Sequence, residues 1–562
     1  MKYKALLLSL LALALTQCKE NNKQNTETTT KASKKEIPFS WRNATVYFLL
    51  TDRFHNGNPS NDLNFKRTSK AATLRGFEGG DIAGITQKIK DGYFDKLGIT
   101  AIWLTPLVEQ IHGKTDEGTG TTYGYHGYWA KDWTALDPNF GTEEELSELV
   151  NTAHQQGIRI LFDVVINHTG PVTEADPAWP DTWVRRGPVC TYKDYKTTVE
   201  CTLVKNLPDI HTESSQPVDL PEGLIMKWEQ EGRLEKEMKT LDEFFSRTGY
   251  PRAPRFYIIK WLTDLVRKYG VDGFRVDTAK HTEASIWAEL KKEAQKAFDD
   301  WKAQNPAKKL DDNDFFMVAE VYGYGAGGGR AFNYGDKEVD FYDNGFESMI
   351  NFAFKYDAQG EYDSLFTKYD TVLHGGSLDG LNVLNYLASH DDGDPYDKQR
   401  EKTIEAGTKL LLAGGAAQVY YGDETARPLV IPGAEGDANL RSFMNWEDLE
   451  KDSVAKATLE HWTKLAQFRK DHIAIGDGKH LKLQNAPYVF SRTYDKNGYK
   501  DQIVVALDAP EGDKAITVGE VFQNGTQLTD HYSGQSAEVK NGKVQLSTPY
   551  KIVLLAAAEN DL

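Results

Sequence analysis

The sequence predicts an α/β fold: a (β/α)8 TIM barrel with a loop-rich domain inserted after strand 3 and a C-terminal antiparallel β-sandwich. Three features of the chain predict it. From residue 44 onward, short apolar runs alternate with longer amphipathic stretches and make about eight units. Residues 170–250 interrupt this alternation, and after residue 472 short strands separated by turn signals replace it. A doubly wound open sheet is the structural alternative.

The predicted barrel strands are short runs rich in β-branched and aromatic residues. They lie in ATVYFLLTDRF, ITAIWLTPL, IRILFDVVINH, VDGFRVDTA, FFMVAEVY, SMINFAF, NVLNYLASHD and AAQVYYGDE. Helical patterns lie between them in DIAGITQKIKDGYFDKLG, TEEELSELVNTAHQQG, PRFYIIKWLTDLVRKYG and DKQREKTIEAGTKLLLAGG, with a charged helix near residues 283–304. Parallel strands of this kind close into a barrel that carries its function at the strand carboxyl ends.

The chain divides into six predicted parts. Residues 170–250 are rich in Pro, Gly, Thr and charge without a helical period, so we expect an inserted B domain that overhangs the barrel mouth. The other parts are a lipoprotein signal peptide (1–18), a disordered tether (19–38), the barrel in two stretches (39–169 and 251–472) and the C-terminal β-sandwich (473–562).

The first residues have the pattern of an export signal. Two lysines precede a short apolar run that ends at Cys18, and the run is too short to span a membrane. Its ending is similar to a bacterial lipobox, in which Cys18 would become the lipid-modified first residue of the mature chain. We therefore expect an exported protein, lipid-anchored at the outer membrane on its periplasmic or cell-surface side. An ordinary cleaved signal with an incidental cysteine is the alternative.

Composition restricts the partners. The chain has 562 residues, 40% of them hydrophobic, a formal net charge of −17 and a pI near 5.3. An acidic protein offers no basic stripe for nucleic acid and no electrostatic attraction to an anionic membrane, so membrane contact would come only through the lipid anchor. A neutral substrate and a monomeric state are expected.

The remaining cysteines predict a disulfide. Cys190 and Cys201 are close in sequence in a chain that carries an export signal, and an oxidising compartment favours their bond. Two free thiols are the alternative. A zinc site does not fit, because no histidine lies between the cysteines and His211 lacks the usual zinc spacing.

Two carboxylates end successive predicted strands: Asp277 in VDGFRVDTAKH and Glu320 in FFMVAEVYG. Cleavage of a glycosidic bond needs one ionised carboxyl and one that holds a proton, so this pair suits the reaction. Arg275 lies two residues before Asp277, hence on the same face of the strand, where its permanent charge would keep Asp277 ionised. The alternative for each acid is a solvated strand end or a structural salt bridge.

Five motifs together resemble glycoside hydrolase family 13, the α-amylase family. They are DVVINH, GFRVDTAKH, the strand ending in Glu320, LASHDD, and LPDI in the insertion, in the family's order between about residues 44 and 470. The segment around the two cysteines is most like secreted or periplasmic bacterial α-amylases. The resemblance implies a retaining hydrolase that cleaves internal α-1,4-glucosidic bonds of starch, glycogen or maltooligosaccharides through a covalent glycosyl-enzyme intermediate.

The resemblance also implies residue roles. Asp277 would be the nucleophile, Glu320 the general acid/base and Asp391 the third carboxylate, with the first two carboxyls ~5 to 5.5 Å apart as in retaining enzymes. The residues expected to bind substrate are Arg275, His126, Tyr128, His168, Lys280, His281 and His390. Satisfied buried histidines, and an aromatic core cluster at the neighbouring Trp129 and Trp133, are the structural alternatives.

Two calcium sites are implied by the same resemblance, since hard cations prefer oxygen ligands. One would use Asn167, Asp209 and the carbonyl of His281. The other lies in HNGNPSND and the following GGD, where a plain turn is the alternative; its expected ligands are Asn56, Asn58, Asn61, Asp62, the Gly79 carbonyl and Asp81.

Two departures from the family pattern leave the specificity open. Ser389 precedes His390 where many members carry Asn, and the strand ending in Glu320 continues as VYGYG. A transglycosylase, or an enzyme acting on cyclodextrins or α-1,6 bonds, is therefore the alternative. A non-catalytic surface glucan-binding lipoprotein is a third hypothesis, which the intact acids argue against.

Overall fold

The computed structural model describes residues 37–557 of the chain. The predicted signal peptide, the lipidation site Cys18 and residues 19–36 of the predicted tether lie outside the described residues. Between residues 37 and 557, none of the helices is both long and apolar enough to cross a membrane.

Eight parallel strands close into a barrel, each paired with the next along the chain and β8 paired with β1. The predicted barrel is confirmed, and the open-sheet alternative is wrong. Most barrel positions are buried on both faces, which explains why the strands read as continuous apolar runs. The strands are β1 Thr45–Leu49, β2 Ala101–Leu104, β3 Arg159–Val164, β4 Gly273–Val276, β5 Phe316–Ala319, β6 Ser348–Asn351, β7 Asn382–Asn385 and β8 Ala416–Tyr420.

Local sequence signals mark the ends of some of the helices. Thr142 and Glu145 form a capping box at the start of α4, and α8 has Pro254 in its first turn and stops at Gly270, whose φ is 71°. The helices are α1 Thr51–Phe54, α2 Ile82–Lys90, α3 Tyr93–Leu97, α4 Glu143–Gln155, α5 Tyr195–Val199, α6 Glu222–Gln230, α7 Leu234–Thr248, α8 Pro254–Tyr269, α9 Ala284–Gln304, α10 Phe354–Asp357, α11 Tyr362–His374, α12 Thr403–Leu411, α13 Asp448–Lys451, α14 Ser453–Asp471 and α15 Ala474–Asp477.

The inserted segment is loop-rich only in its first part. The expectation that it lacks a helical period was wrong for its end, because α6 and α7 occupy most of residues 222–248. In α7 the apolar residues Leu234, Met238, Leu241 and Phe245 recur at helical spacing, a period that the overall composition of the insertion does not reveal. The predicted disulfide between Cys190 and Cys201 is confirmed, and the free-thiol alternative is wrong.

Short antiparallel strand pairs form within the loops at the barrel mouth. They are formed by Val108–Gln110 with Ala130–Leu136, Thr115–Asp116 with Thr121–Thr122, Val184–Arg185 with Asp209–Ile210, and Ala331–Asn333 with Glu338–Asp340. The last pair is a hairpin that follows β5 and therefore lies on the same side of the barrel as Glu320.

The C-terminal domain consists of two antiparallel sheets, as predicted. A six-stranded sheet has the order β9-β10-β11-β16-β13-β14, and β12 pairs with β15. Neighbouring residues of β10 enter different cores: Phe490 packs with the barrel and Val489 with the second sheet. The strands are β9 Lys479–Gln484, β10 Tyr488–Lys496, β11 Tyr499–Leu507, β12 Gly512–Thr517, β13 Gln527–Asp530, β14 Ser536–Glu538, β15 Lys543–Thr548 and β16 Val553–Ala557.

Candidate active site

Asp277 and Glu320 directly follow the neighbouring strands β4 and β5, at the carboxyl-terminal mouth of the barrel. Both are 7% exposed. The backbone N–H of Thr278 donates to Glu320 Oε2 at 2.7 Å, and that of Ala279 donates to the Glu320 carbonyl at 2.9 Å. The loop after Asp277 therefore fixes the position of Glu320.

A single buried guanidinium joins the acids. Arg275 Nη1 lies 2.7 Å from Asp277 Oδ1 and 2.8 Å from Asp163 Oδ1, and its Nη2 lies 3.1 Å from Glu320 Oε2. Arg275 pairs with Asp163 across β3 and β4, so both side chains point into the barrel at the same level. The geometry brings Asp277 and Glu320 to one cation.

Burial and the Arg275 charge shift the pKa values of the buried carboxyls in opposite directions. Burial, followed by the neighbouring Glu320 carboxyl, raises the pKa of Asp277 well above its ordinary value, and Arg275 acts in the opposite direction. Burial also raises the pKa of Asp163 to about 6 against the pull of Arg275. Because three carboxyls share one positive charge, a proton on one of them is favoured.

Asp163 is the first residue of the motif DVVINH, but the sequence alone did not predict a role for it. Its Oδ2 accepts hydrogen bonds from Tyr128 Oη at 2.7 Å and from Trp103 Nε1 at 3.0 Å. Asp163 therefore holds both the Arg275 guanidinium and the Tyr128 hydroxyl in position. An acid inside the apolar run RILFDV was the signal that could have pointed to it.

His126, His168 and His390, all predicted to bind substrate, lie around Tyr128. The Tyr128 ring stacks on His390 with centroids 5.1 Å apart, and its backbone N–H donates to His126 Nδ1 at 3.1 Å. His168 Nε2 lies 3.2 Å from the Tyr128 carbonyl. Burial lowers the pKa of His168 to about 4 and those of His126 and His390 well below the ordinary value. These imidazoles are neutral at neutral pH.

Asp391 stands nearer to solvent than the other acids. Its side chain is 39% exposed, and its Oδ2 lies 3.7 Å from His390 Nε2. Ser389, the residue that departs from the family pattern, donates its hydroxyl to Asp391 Oδ1 at 3.3 Å. The serine therefore orients the carboxylate that faces the open cleft.

Lys280 and His281 lie in the loop after β4. Lys280 Nζ donates to the carbonyl of Tyr322 at 3.0 Å and lies 5.1 Å from the centre of its ring. Tyr322 is 59% exposed, two residues after Glu320, and sequence analysis gave it no role. Its exposed ring beside the acid is a surface on which a sugar can stack.

A further polar group beside His390 was also missed. Arg441 Nε donates to the His390 carbonyl at 2.8 Å, and Arg441 and Arg75 both bind Asp437, at 2.7 and 2.8 Å. Asp437 and Arg441 belong to one short helix, whereas Arg75 and His390 come from segments far from it in sequence, so no local motif could have indicated the whole group.

Comparison with known proteins gives the family. A family model described as the catalytic domain of alpha-amylase matches residues 48–473. The periplasmic alpha-amylase of Escherichia coli K12 is 40% identical over 503 residues, which cover 79% of this chain and 69% of that protein. The chain belongs to the α-amylase family. It is an α-amylase-type glycoside hydrolase, as the sequence predicted.

Other α-amylase-family proteins are more distant. The cyclomaltodextrin glucanotransferase of Geobacillus stearothermophilus is 26% identical over 480 residues, 82% of this chain, and the chain spans 59% of that protein's length. Alpha-amylase structures from Anoxybacillus and Geobacillus thermoleovorans match with TM-scores of 0.62 and 0.64 at 22% and 20% identity. They cover 93% and 92% of this chain, and the match takes in 99% of each of those chains. These structures share the fold.

The first candidate calcium cluster of this α-amylase-family chain contains Asn167 and Asp209. Asp209 is 2% exposed, its Oδ1 has no hydrogen-bond partner, and burial raises its pKa to about 8. Arg185 Nε already lies 3.0 Å from Asp209 Oδ2, and Thr282 Oγ1 donates to Asn167 Oδ1 at 3.3 Å. An unpartnered buried carboxylate oxygen beside an amide oxygen fits a hard cation.

The second cluster surrounds Gly79. A Cβ at this glycine would lie 2.5 Å from Asn56 Nδ2 and 2.8 Å from Asp62 Oδ1, so the loops leave a small cradle there. The amide oxygens of Asn56 and Asn61 are buried without a partner. These oxygens fit a calcium ion.

Two other predicted ligands of this cluster have local partners. Asp81 accepts from Gly84 N–H at 2.6 Å at the start of α2, and Asn58 Oδ1 accepts from the Ser60 hydroxyl at 2.6 Å. Across residues 37–557 no group of three or more His, Cys, Asp or Glu side chains has metal-binding geometry, so each cluster would combine carboxylate oxygens with amide or carbonyl oxygens.

Proposed function

We propose that this enzyme cleaves internal α-1,4-glucosidic bonds of starch, glycogen or maltooligosaccharides with retention of configuration. The observation that supports this most is the contact of Asp277 and Glu320 with the same Arg275 guanidinium, at 2.7 and 3.1 Å. Two carboxyls held that closely suit a nucleophile and an acid/base that act on one anomeric carbon.

The proposed first step is attack of an Asp277 carboxylate oxygen on the anomeric carbon. The bond to the leaving sugar breaks, and the Glu320 proton passes to the leaving oxygen. Arg275 Nη1 lies 2.7 Å from Asp277 Oδ1, and this ion pair acts against burial to favour the carboxylate form of Asp277 that the attack requires. In the second step water attacks the same carbon, gives its proton to Glu320 and releases Asp277.

The remaining residues of the site would bind the sugar at the point of cleavage. Tyr128 offers a ring face, and the neutral imidazoles of His126, His168 and His390 can bind hydroxyls without placing a positive charge beside Arg275. Asp391, open to the cleft, would accept hydrogen bonds from sugar hydroxyls.

Transfer to a sugar acceptor is the second candidate function. The exposed Tyr322 ring beside Lys280 supplies an acceptor surface, and cyclomaltodextrin glucanotransferases are among the relatives. Action on cyclodextrins or α-1,6 bonds is the remaining alternative.

A timed product profile on maltoheptaose tests the proposal. We expect shorter maltooligosaccharides whose new reducing ends are initially α-anomers, with slower action on pullulan and cyclodextrins. Products longer than the substrate would show transfer. A β-anomeric initial product would contradict the retaining mechanism, and an absence of shorter products would contradict hydrolysis.

We also propose calcium at the two oxygen clusters, where it would neutralise buried oxygens and connect loops. Saturating calcium should raise the melting temperature by about 2 to 4 °C per site relative to EDTA, because ligand binding to the folded state stabilises it. Asp62→Asn should lose part of that rise. Asp181→Asn, whose side chain is 77% exposed, should keep it all. Equal melting temperatures in calcium and EDTA would contradict the proposal.

The proposed location is the outer membrane, through a lipid on Cys18 after export. The Cys190–Cys201 disulfide supports an oxidising compartment, and a relative at 40% identity is named periplasmic. The monomeric state stays a prediction.

A further inference from the structure

Three loops meet on the Glu320 side of the cleft. The disulfide loop is residues 190–201, the hairpin turn is residues 334–337, and the acid loop is residues 278–281. The disulfide loop contains α5, which Asp194 caps by accepting from the Thr197 N–H at 2.8 Å. A bonded and capped loop of this kind has few alternative conformations.

The disulfide loop contacts the hairpin turn through Tyr195. Its backbone N–H donates to Asp336 Oδ1 at 2.8 Å, and its ring meets that of Tyr334 edge to face with centroids 5.1 Å apart. Lys337 Nζ lies 3.7 Å from the centre of the Tyr195 ring. The ring of Tyr195 therefore lies between a second aromatic ring and a cation.

The hairpin turn contacts the acid loop through one hydrogen bond. Tyr334, which is 7% exposed, donates its hydroxyl to the carbonyl of Lys280 at 2.8 Å. Because this bond reaches the backbone, it fixes the course of the acid loop and not only one of its side chains.

The acid loop contacts the disulfide loop in turn and closes a triangle. His281 Nδ1 lies 3.0 Å from the Thr198 carbonyl, and the Tyr192 ring lies edge to face on the His281 ring at 5.0 Å. No loop of the three can move without breaking contacts to the other two.

The acid loop is the part of the triangle that reaches the chemistry. Thr278 N–H binds the Glu320 carboxylate, and Lys280 Nζ binds the Tyr322 carbonyl. A displacement of about 1 Å in such a loop is enough to weaken a reaction that depends on orientation.

We propose that Tyr195 and Tyr334 are positioning residues that hold Lys280 and Tyr322 in place as a binding surface for a sugar acceptor, and so set the ratio of transfer to hydrolysis. This inference rests on the proposed retaining mechanism. The chemistry is the same for both acceptors: an O–H oxygen bonds to the anomeric carbon, its proton goes to Glu320, and the carbon–Asp277 bond breaks. Water needs no shaped surface, whereas a sugar does.

Tyr334→Phe tests this by deleting the hydroxyl that binds the Lys280 carbonyl. The ratio of transfer to hydrolysis on maltoheptaose should fall about three- to tenfold, as expected for one lost hydrogen bond. The KM for maltoheptaose should rise, and kcat for hydrolysis should stay within about twofold. The double variant Cys190→Ser/Cys201→Ser should shift the ratio in the same direction.

Tyr342→Phe is the matched control. Tyr342 is 8% exposed and donates its hydroxyl to the Asn382 carbonyl at 2.8 Å, at the other end of the same hairpin. It should lose similar stability and keep the wild-type product ratio. Equal ratios in Tyr334→Phe, Tyr342→Phe and wild type would overturn the inference while leaving hydrolysis established. If the wild-type enzyme does not hydrolyse maltoheptaose, that result would instead contradict the proposed function itself.

Discussion

Glu320→Gln should lower the rate of maltoheptaose hydrolysis by about 10² to 10⁴-fold, the range expected for a lost general acid/base. The amide keeps the size of the side chain and can still meet Thr278 N–H, but it has no proton to give to the leaving sugar. Initial rates of reducing-sugar release at saturating substrate measure the effect.

An aryl maltooligoside separates this role from a structural one. Its leaving group needs no proton, so Glu320→Gln should form the glycosyl-enzyme at a nearly normal rate and accumulate it. Asp277→Asn should fail with both substrates, because no carboxylate remains to attack.

Glu347→Gln is the matched control for the Glu320 variant. Glu347 precedes β6 at the opposite end of the barrel, where its Oε2 accepts from the Met317 N–H at 2.9 Å. It should keep near-wild-type kcat. A folded Glu320→Gln protein with more than about a tenth of wild-type activity would contradict the assignment. Negligible rates in both Glu320→Gln and wild type would favour a non-catalytic glucan-binding protein.

Arg275→Lys should lower kcat by about 10² to 10³-fold, although it keeps the positive charge. One ammonium group cannot bond Asp163, Asp277 and Glu320 in the fork that the guanidinium makes, at 2.8, 2.7 and 3.1 Å. Arg42→Lys, at a buried ion pair with Asp477, is the matched control and should leave kcat unchanged.

The pH profile of the Arg275 variant gives a second readout. Arg275 lowers the pKa values of Asp163 and Asp277 against the effect of burial, and that of Asp163 is about 6. With weaker contacts both values rise, so the active, ionised form appears only at higher pH. The acid limb of kcat against pH should therefore move upward. An unmoved limb with unchanged kcat would show that Arg275 has no role in the reaction.

The acids of the site could be predicted because strand order determines which residues share the barrel mouth. Asp277 and Glu320 each come directly after a short apolar run, and parallel strands bring such ends together. Arg275 followed from the two-residue period of β4. For these residues the position relative to a strand end, which can be read from the local sequence, also determines where the side chain lies in the barrel.

Residues supplied by long loops could not be predicted in this way. Arg75 meets Asp437 and Arg441, which lie four residues apart in one short helix, only because the loops after different strands fold together. The contact of Tyr195 with Tyr334 likewise joins segments about 140 positions apart. Helices α6 and α7 were missed because the prediction rested on the composition of the whole insertion and not on the apolar spacing within residues 222–248.

The wide C-terminal sheet has apolar residues on both faces, one against the barrel and one against its partner sheet. Shortening the gene after the last barrel helix would uncover the Phe366 surface that Phe490 now covers. The barrel domain without the sandwich would then be prone to aggregation. The barrel and the sandwich are therefore expected to melt in a single cooperative transition, and a shortened enzyme has to retain the sandwich for solubility even if the sandwich binds no glucan.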